Sequence, residues 1–215
     1  MWEIILAGGP VMWPIILSSV VAAAIVLERV WTLQRKRIIP HELTDRVWKL
    51  VETRTLNERH IEALSRNSPL GRILAAGLAN RDQGRDIMKE AIEDTGRHVV
   101  HELGRFLGTL GTIAAISPLM GLLGTVIGMI LAFHSITSEG VGDPRLLAGG
   151  IGQALITTAA GLIVAIPSLF AYRYLRGVVD LLVVDMEKEA MRLVQAFDRM
   201  STRAQAAPRR REAAS

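Results

Sequence analysis

Twenty-seven consecutive residues, 107–133, carry no ionisable side chain, and a second run of 26, residues 146–171, follows a short charged loop. At 1.5 Å per helical residue each run is about 40 Å long, enough to cross a hydrocarbon core of about 30 Å with tilt. The small residues in these runs constrain the chain further. Gly104, Gly108, Gly111, Ala115, Pro118, Gly121, Thr125, Gly128 and Ala132 recur at steps of three and four, a period of 3.5, and so share one side of a helix. Gly150, Ala154, Thr157, Gly161, Ala165 and Ser168 do the same in the second run. Helices in lipid lack a hydrophobic drive to associate, so small faces mark close backbone packing. The predicted packing face includes Gly108, Gly111, Gly121, Gly124, Gly128, Gly150, Ala154 and Gly161. It offers more contact surface than one chain can bury, which predicts a ring-shaped homo-oligomer.

A third apolar run, Val11–Leu27, is 17 residues long, near the short limit for a span, with Trp13 and Trp31 where interfacial aromatics are expected. A cleaved leader fits this run poorly, because no basic region precedes it. With 50% hydrophobic residues and mean hydropathy +0.30, the chain is too apolar for a soluble domain and too polar for one wholly in lipid. Residues 35–105 carry 14 Lys/Arg, and residues 173–215 carry nine. Loop 136–145 has only Arg145. The positive-inside rule then predicts an N-terminus at 1–10 outside the cytoplasm, spans at 11–31, 106–134 and 146–172, and a loop at 135–145 on the same outer side. The cytoplasm receives a helical segment at 32–105, a helical tail at 173–203 and a disordered basic tail at 204–215. Arg209, Arg210 and Arg211 in that tail suit anionic lipid. The basic flanks explain the net charge of +4 without nucleic acid, and zero cysteines exclude disulfides.

The polar segments read as helical and no β pattern appears, so the fold class is an all-α membrane protein. Leu43, Val47, Leu50, Leu56, Ile61 and Leu64 have helical spacing, and Ser68-Pro69 pairs a capping serine with a first-turn proline. From Gly84 the pattern runs through Ile87, Ala91, Val99, Leu103 and Leu107 into the second span without a strong breaker. Leu175, Val179, Leu182, Met186, Ala190, Leu193, Phe197 and Met200 form a stripe of period near 3.6 beyond the third span. Two helices are therefore predicted to extend into the cytoplasm, where the stripe packs on the 41–105 segment or on neighbouring protomers.

Gly121–Gly124, Gly124–Gly128 and Gly149–Gly152 lack the lysine and preceding strand of a phosphate loop, so helix packing explains them. His98 and His101 stand at i, i+3 but have no ligand cluster around them, and polar helix surface accounts for them. His134 is interfacial, with proton entry as the alternative. No hydrolytic constellation falls within a span. No enzyme activity, metal or cofactor is expected.

The polar candidates inside the spans are Thr109, Thr112, Ser117, Thr125, Gln153, Thr157, Thr158 and Ser168. For Thr109, Thr112 and Ser168, bonding back to the helix's own carbonyls suffices. Gln153 has four hydrogen-bonding valences that its helix cannot fill, and it sits beside Thr157 on the helical wheel. Thr125, Gln153, Thr157 and Thr158 are the predicted lining of a hydrated, polar path. None of them titrates, so a proton-driven function needs a carboxylate from another chain.

The stretches SPLMGLLGTVIGMILAF (117–133) and GIGQALITTAAGLIVAIP (150–167) resemble the ExbB/TolQ/MotA family. The three-span plan and the Gly-Thr-Val and Ala-Ile-Pro details are more similar to ExbB and TolQ than to MotA. The resemblance implies a bacterial inner-membrane motor subunit, a pentamer around single-span partners of the ExbD/TolR type. The partner's aspartate carries protons, and work passes to a TonB-like or TolA-like protein. In that family Thr125 matches the threonine of Gly-Thr-Val and Thr158 that of Ala-Thr-Ala, both lining the channel. Gln153 falls where many members have glutamate, which favours a hydrogen-bonding role. The expected function is an ExbB–ExbD-type proton-channel stator energising TonB-dependent transport. TolQ-like envelope maintenance and a non-conducting scaffold are the alternatives.

Overall fold

A computed structural model describes residues 2–40, 45, 47–49, 57–139 and 144–212, with side chains for 5–40, 45, 47–49, 57–134 and 148–199. Its helices are α1 (Trp2–Ala7), α2 (Met12–Thr32), α3 (Arg35–Ile38), α4 (Glu58–Asn67), α5 (Pro69–Ala79), α6 (Arg85–Leu103), α7 (Leu107–Glu139) and α8 (Pro144–Glu212). No strand occurs among the described residues. Three helical stretches are long and apolar enough to cross a membrane: Met12–Thr32, Arg85–His134 and Ala148–Arg199. Leu43, Leu50, Leu56 and the Met200 side chain lie outside the described residues, as does the loop at 140–143. Where composition suggests a disordered tail from 204, the backbone is helical to Glu212.

The chain divides into two compact units. One comprises Met1–Trp31 and Phe106–Arg176, the other Thr32–Arg105 and Gly177–Ser215. In the first, α2 buries a single stripe of Met12, Ile15, Ala22, Ile25 and Arg29, while Leu17, Val20 and Leu27 are exposed. Only 22–28% of the three apolar windows is buried within the chain. Leu119, Ile130, Phe133, Ile163, Ile166 and Phe170 all face outward, which suits acyl chains or another chain and not water.

The sequence pattern suggests one helix from Gly84 through the second span, but the structure interrupts it at residues 104–106. The Gly104 N–H donates to the Val100 carbonyl (3.0 Å), closing α6, and the Leu110 N–H donates to the Phe106 carbonyl (3.0 Å), opening α7. Phe106 has φ +64°, a left-handed conformation that is costly for a bulky residue. Its ring lies 5.4 Å from the guanidinium of Arg29, which is 4% exposed and paired with Glu28 at 2.8 Å. A long-range cation–π contact supports the strained residue, and no local sequence signal announces it.

The second unit is a helical body with a side-chain-packed apolar interior. Ser68 caps α5, accepting from the Gly71 N–H at 3.0 Å with Pro69 in the first turn, as the Ser-Pro pair suggests. Leu70, Ile73, Leu74, Leu78, Met88, Ile92 and Val99 of α5 and α6 are buried. So are Val179, Leu182, Met186, Ala190 and Leu193 of the predicted stripe. Ile73, Ile92 and Val100 line a cavity of about 720 Å³ together with Val183, Met186 and Ala190, so the stripe faces α5 and α6 of its own chain. Ion pairs Arg35–Asp185 (2.9 Å) and Arg85–Asp198 (3.4 Å) flank the same part of α8.

Candidate functional site

Two of the polar candidates, Thr157 and Thr158, lie where α7 meets α8, and glycine decides how closely these helices approach. A Cβ on Gly121 would stand 2.9 Å from Thr158 Cα and 3.0 Å from the Thr157 carbonyl oxygen. On Gly128 it would meet the Gly150 carbonyl oxygen at 2.7 Å and Ala154 N at 3.0 Å. On Gly161 it would meet the Ser117 carbonyl oxygen at 2.5 Å. Each neighbour is backbone, so no side-chain rotation makes room. Gly111 approaches the ring of Tyr172, 3.2 Å from the same construction. Gly108, Gly149 and Gly152 face open space within this chain. The small row therefore splits into a part that holds α7 to α8 and a part that touches nothing here.

Thr157 is 0% exposed and fits against Gly124, and its hydroxyl donates to carbonyls of its own helix, Gln153 and Ala154, both at 3.0 Å. It is a knob in the helix contact with its polarity satisfied locally. Thr158, one residue on, is half-buried and donates across the contact to the Gly121 carbonyl at 3.2 Å. A helical carbonyl already accepts a backbone bond, so Thr158 adds a second and joins the two helices through a polar group. Thr125 lies to the side of the glycine row, its hydroxyl on the Leu122 carbonyl at 2.6 Å. It borders a shallow groove with Val126, Met129, Ile130, Phe133 and His134. Thr112 and Ser168 bond back to Gly108 and Val164, at 2.9 and 2.7 Å, as the local reading expects.

The amide end of Gln153 lies against the backbone of Gly9, in the turn between α1 and α2. Spacing gave no sign of this neighbour, and only the unusual pair Gly8-Gly9 before Pro10 hints at a special turn. The structure thus brings Thr157 and Thr158 to the α7 glycines and Gln153 to the N-terminal turn, and sets Thr125 beside a groove. All of these groups are uncharged, and no cluster of three or more potential metal ligands occurs among the described residues. The arrangement offers hydroxyl, amide and carbonyl dipoles at membrane depth, able to hydrogen-bond a carboxyl group or water but unable to exchange a proton at ordinary pH.

Two charge-free, glycine-packed stretches of α7 and α8, with hydroxyls along their seam, define a multi-pass membrane protein with a polar seam in its apolar helices. The chain belongs to the MotA/TolQ/ExbB proton channel family, which it matches over residues 65–188. It is 36% identical over 178 residues to the ExbB-like 1 protein of Synechocystis, covering 79% of this chain and 68% of that one. Biopolymer transport protein exbB1 of Vibrio cholerae is 31% identical over 167 residues, covering 75% and 72% of the two chains. ExbB of Salmonella typhimurium is 32% identical over 178 residues, covering 75% and 70%.

Proposed function

We propose that this chain is the proton-channel and stator subunit of an ExbB-type motor in the bacterial inner membrane. It uses the proton-motive force to energise TonB-dependent transport across the outer membrane. In this reading the chain forms a ring, a pentamer, with its N-terminus periplasmic and its C-terminus cytoplasmic. The ring encloses a single-span partner of the ExbD/TolR kind, whose aspartate carries the proton, and work passes to a TonB-like protein. The observation that carries the reading is the Thr158 hydroxyl bonded across the seam to Gly121, within the runs 107–133 and 146–171 that hold no ionisable group. A carboxylate brought in by a partner can exchange hydrogen bonds with such hydroxyls in both its charged and neutral forms. The outward apolar faces of α7 and α8 supply the surface that neighbouring protomers and the partner cover.

Valine keeps the shape of threonine and removes the hydroxyl, so the test is the Thr125→Val, Thr158→Val double variant co-expressed with the partner. The expected result is an intact oligomer by native mass spectrometry and loss of proton flux in vesicles, with motor-dependent growth falling in parallel. Normal flux in that variant would show that these threonines serve packing alone.

A further inference from the structure

Gly9 has φ +69°, and an ideal Cβ there would stand 3.0 Å from Gln153 Cδ and nearer still to the amide nitrogen. The Gln153 side chain therefore occupies the space that any L side chain at position 9 would fill. The turn around it is ordered by two backbone bonds, Gly9 N–H to the Leu6 carbonyl and Met12 N–H to the Gly9 carbonyl, both 3.2 Å. Gly8 is buried, and a Cβ on it would meet Met12 and, at 3.5 Å, Ile156 of α8. Val11, Met12 and Ile15 are buried immediately after the turn. The N-terminal turn is thus seated on the α8 stretch around Gln153 and Ile156, and Gln153 is the polar group at that seat.

We infer that Gly9 is a positioning residue for the Gln153 amide: the bare backbone of the turn holds that side chain against the N-terminal segment and fixes where its hydrogen-bonding groups stand. The inference deepens the proposed function and rests on it, since it assigns Gln153 its place in the proton path through the Gly8-Gly9 turn. Two requirements for glycine coincide at position 9, and they are separable. Positive φ alone is met by asparagine, which tolerates the left-handed region. The contact with Gln153 is not, because the Cβ of asparagine would push the end of that flexible side chain aside, moving the amide from its place and loosening the seat.

The experiment uses this separation in the full chain with its partner. The chain has no cysteine, so Val11→Cys, at a buried site beside the turn, introduces a single reporter whose maleimide labelling in native membranes reads undocking of the turn. In that background Gly9→Asn, Gln153→Ala and the double variant are compared for labelling rate and for motor-dependent growth. Gly9→Asn is expected to accelerate labelling and depress growth. Added to Gln153→Ala it is expected to change neither, because the partner of the collision is gone. Silent Gly9→Asn, additive effects in labelling, or undocking without a growth defect would each overturn the assignment. Labelling reports the seat whether or not protons flow, so a failure of the threonine test leaves a non-additive labelling result standing and locates the error in the proton reading.

Discussion

In the unit of residues 1–31 and 106–176, α7 and α8 touch through backbone, with Gly121, Gly128 and Gly161 against carbonyl oxygens and Cα atoms. In the unit of residues 32–105 and 177–215, contact is made by long side chains such as Leu70, Leu78, Met88, Met186 and Leu193, with ion pairs at the margins. The contrast follows from the solvent each is suited to. Large apolar side chains gain about 25 cal/mol per Å² on leaving water and almost nothing on leaving lipid. A helix pair in lipid gains instead from close van der Waals contact, which bulky side chains would prevent. Hence large groups point outward in the first unit, as Ile163 and Phe170 do at 71% and 75% exposure. In the second, Leu70, Leu78, Met88, Met186 and Leu193 point inward, although Leu181 and Val184 remain exposed.

The sharpest way to break this comparison is Gly121→Leu. Its Cβ alone would overlap Thr158 Cα, and the remaining three carbons have nowhere to go, so α7 and α8 must separate. Overpacking of mobile side chains costs about 1–3 kcal/mol, and a backbone obstacle exceeds that range. Loss of the folded oligomer is expected, read by native mass spectrometry in mild detergent. In the second unit the opposite change does the damage. Met186→Ala, at 1% exposure, enlarges the cavity it already lines and is expected to cost about 2–5 kcal/mol, measured by chemical unfolding of the purified chain. If Gly121→Leu were mild and Met186→Ala silent, the division into backbone-packed and side-chain-packed units would be wrong.

Much of this division is legible in the sequence, because hydropathy, charge and small-residue spacing all act along one helix. The charge-free runs mark two spans, the period near 3.6 finds the stripe from Val179 to Leu193, and Ser68-Pro69 marks a helix start. What spacing could not give is contact between distant parts. The break at 104–106 depends on Arg29 reaching the Phe106 ring, 77 positions away, and Gly104 alone does not announce it. The 3.5-residue row also blurs which small residue faces which partner. The row itself passes through Thr125, whereas Gly124, also on the predicted packing face, is the residue that receives Thr157. The Gln153 amide demands a polar neighbour, but no local signal connects it to Gly9, which the turn between α1 and α2 places against it.

The smallest effect is expected from Gly77→Ala in α5, and it refines the comparison by holding the chemistry of the change constant. A Cβ on Gly77 would meet Ile92 Cδ1 at 2.8 Å, a contact as short as the one at Gly121. The obstacle here is the tip of a flexible side chain, and Ile92 borders the cavity of about 720 Å³, so it has room to turn. Moving it off its preferred rotamer costs about 0.5–1.5 kcal/mol. Replacing a mid-helix glycine by alanine returns about 0.8–1.0 kcal/mol of helix propensity. The two nearly cancel, and the net change should fall within about 0.5 kcal/mol of zero. Gly121→Ala meets the Cα of Thr158 at 2.9 Å, has no side chain to displace, and should lower the melting temperature clearly. Melts of both alanine variants in the same detergent decide the matter. Equal losses would mean that contact distance alone governs tolerance, and that backbone against side chain is not the distinction between the two units.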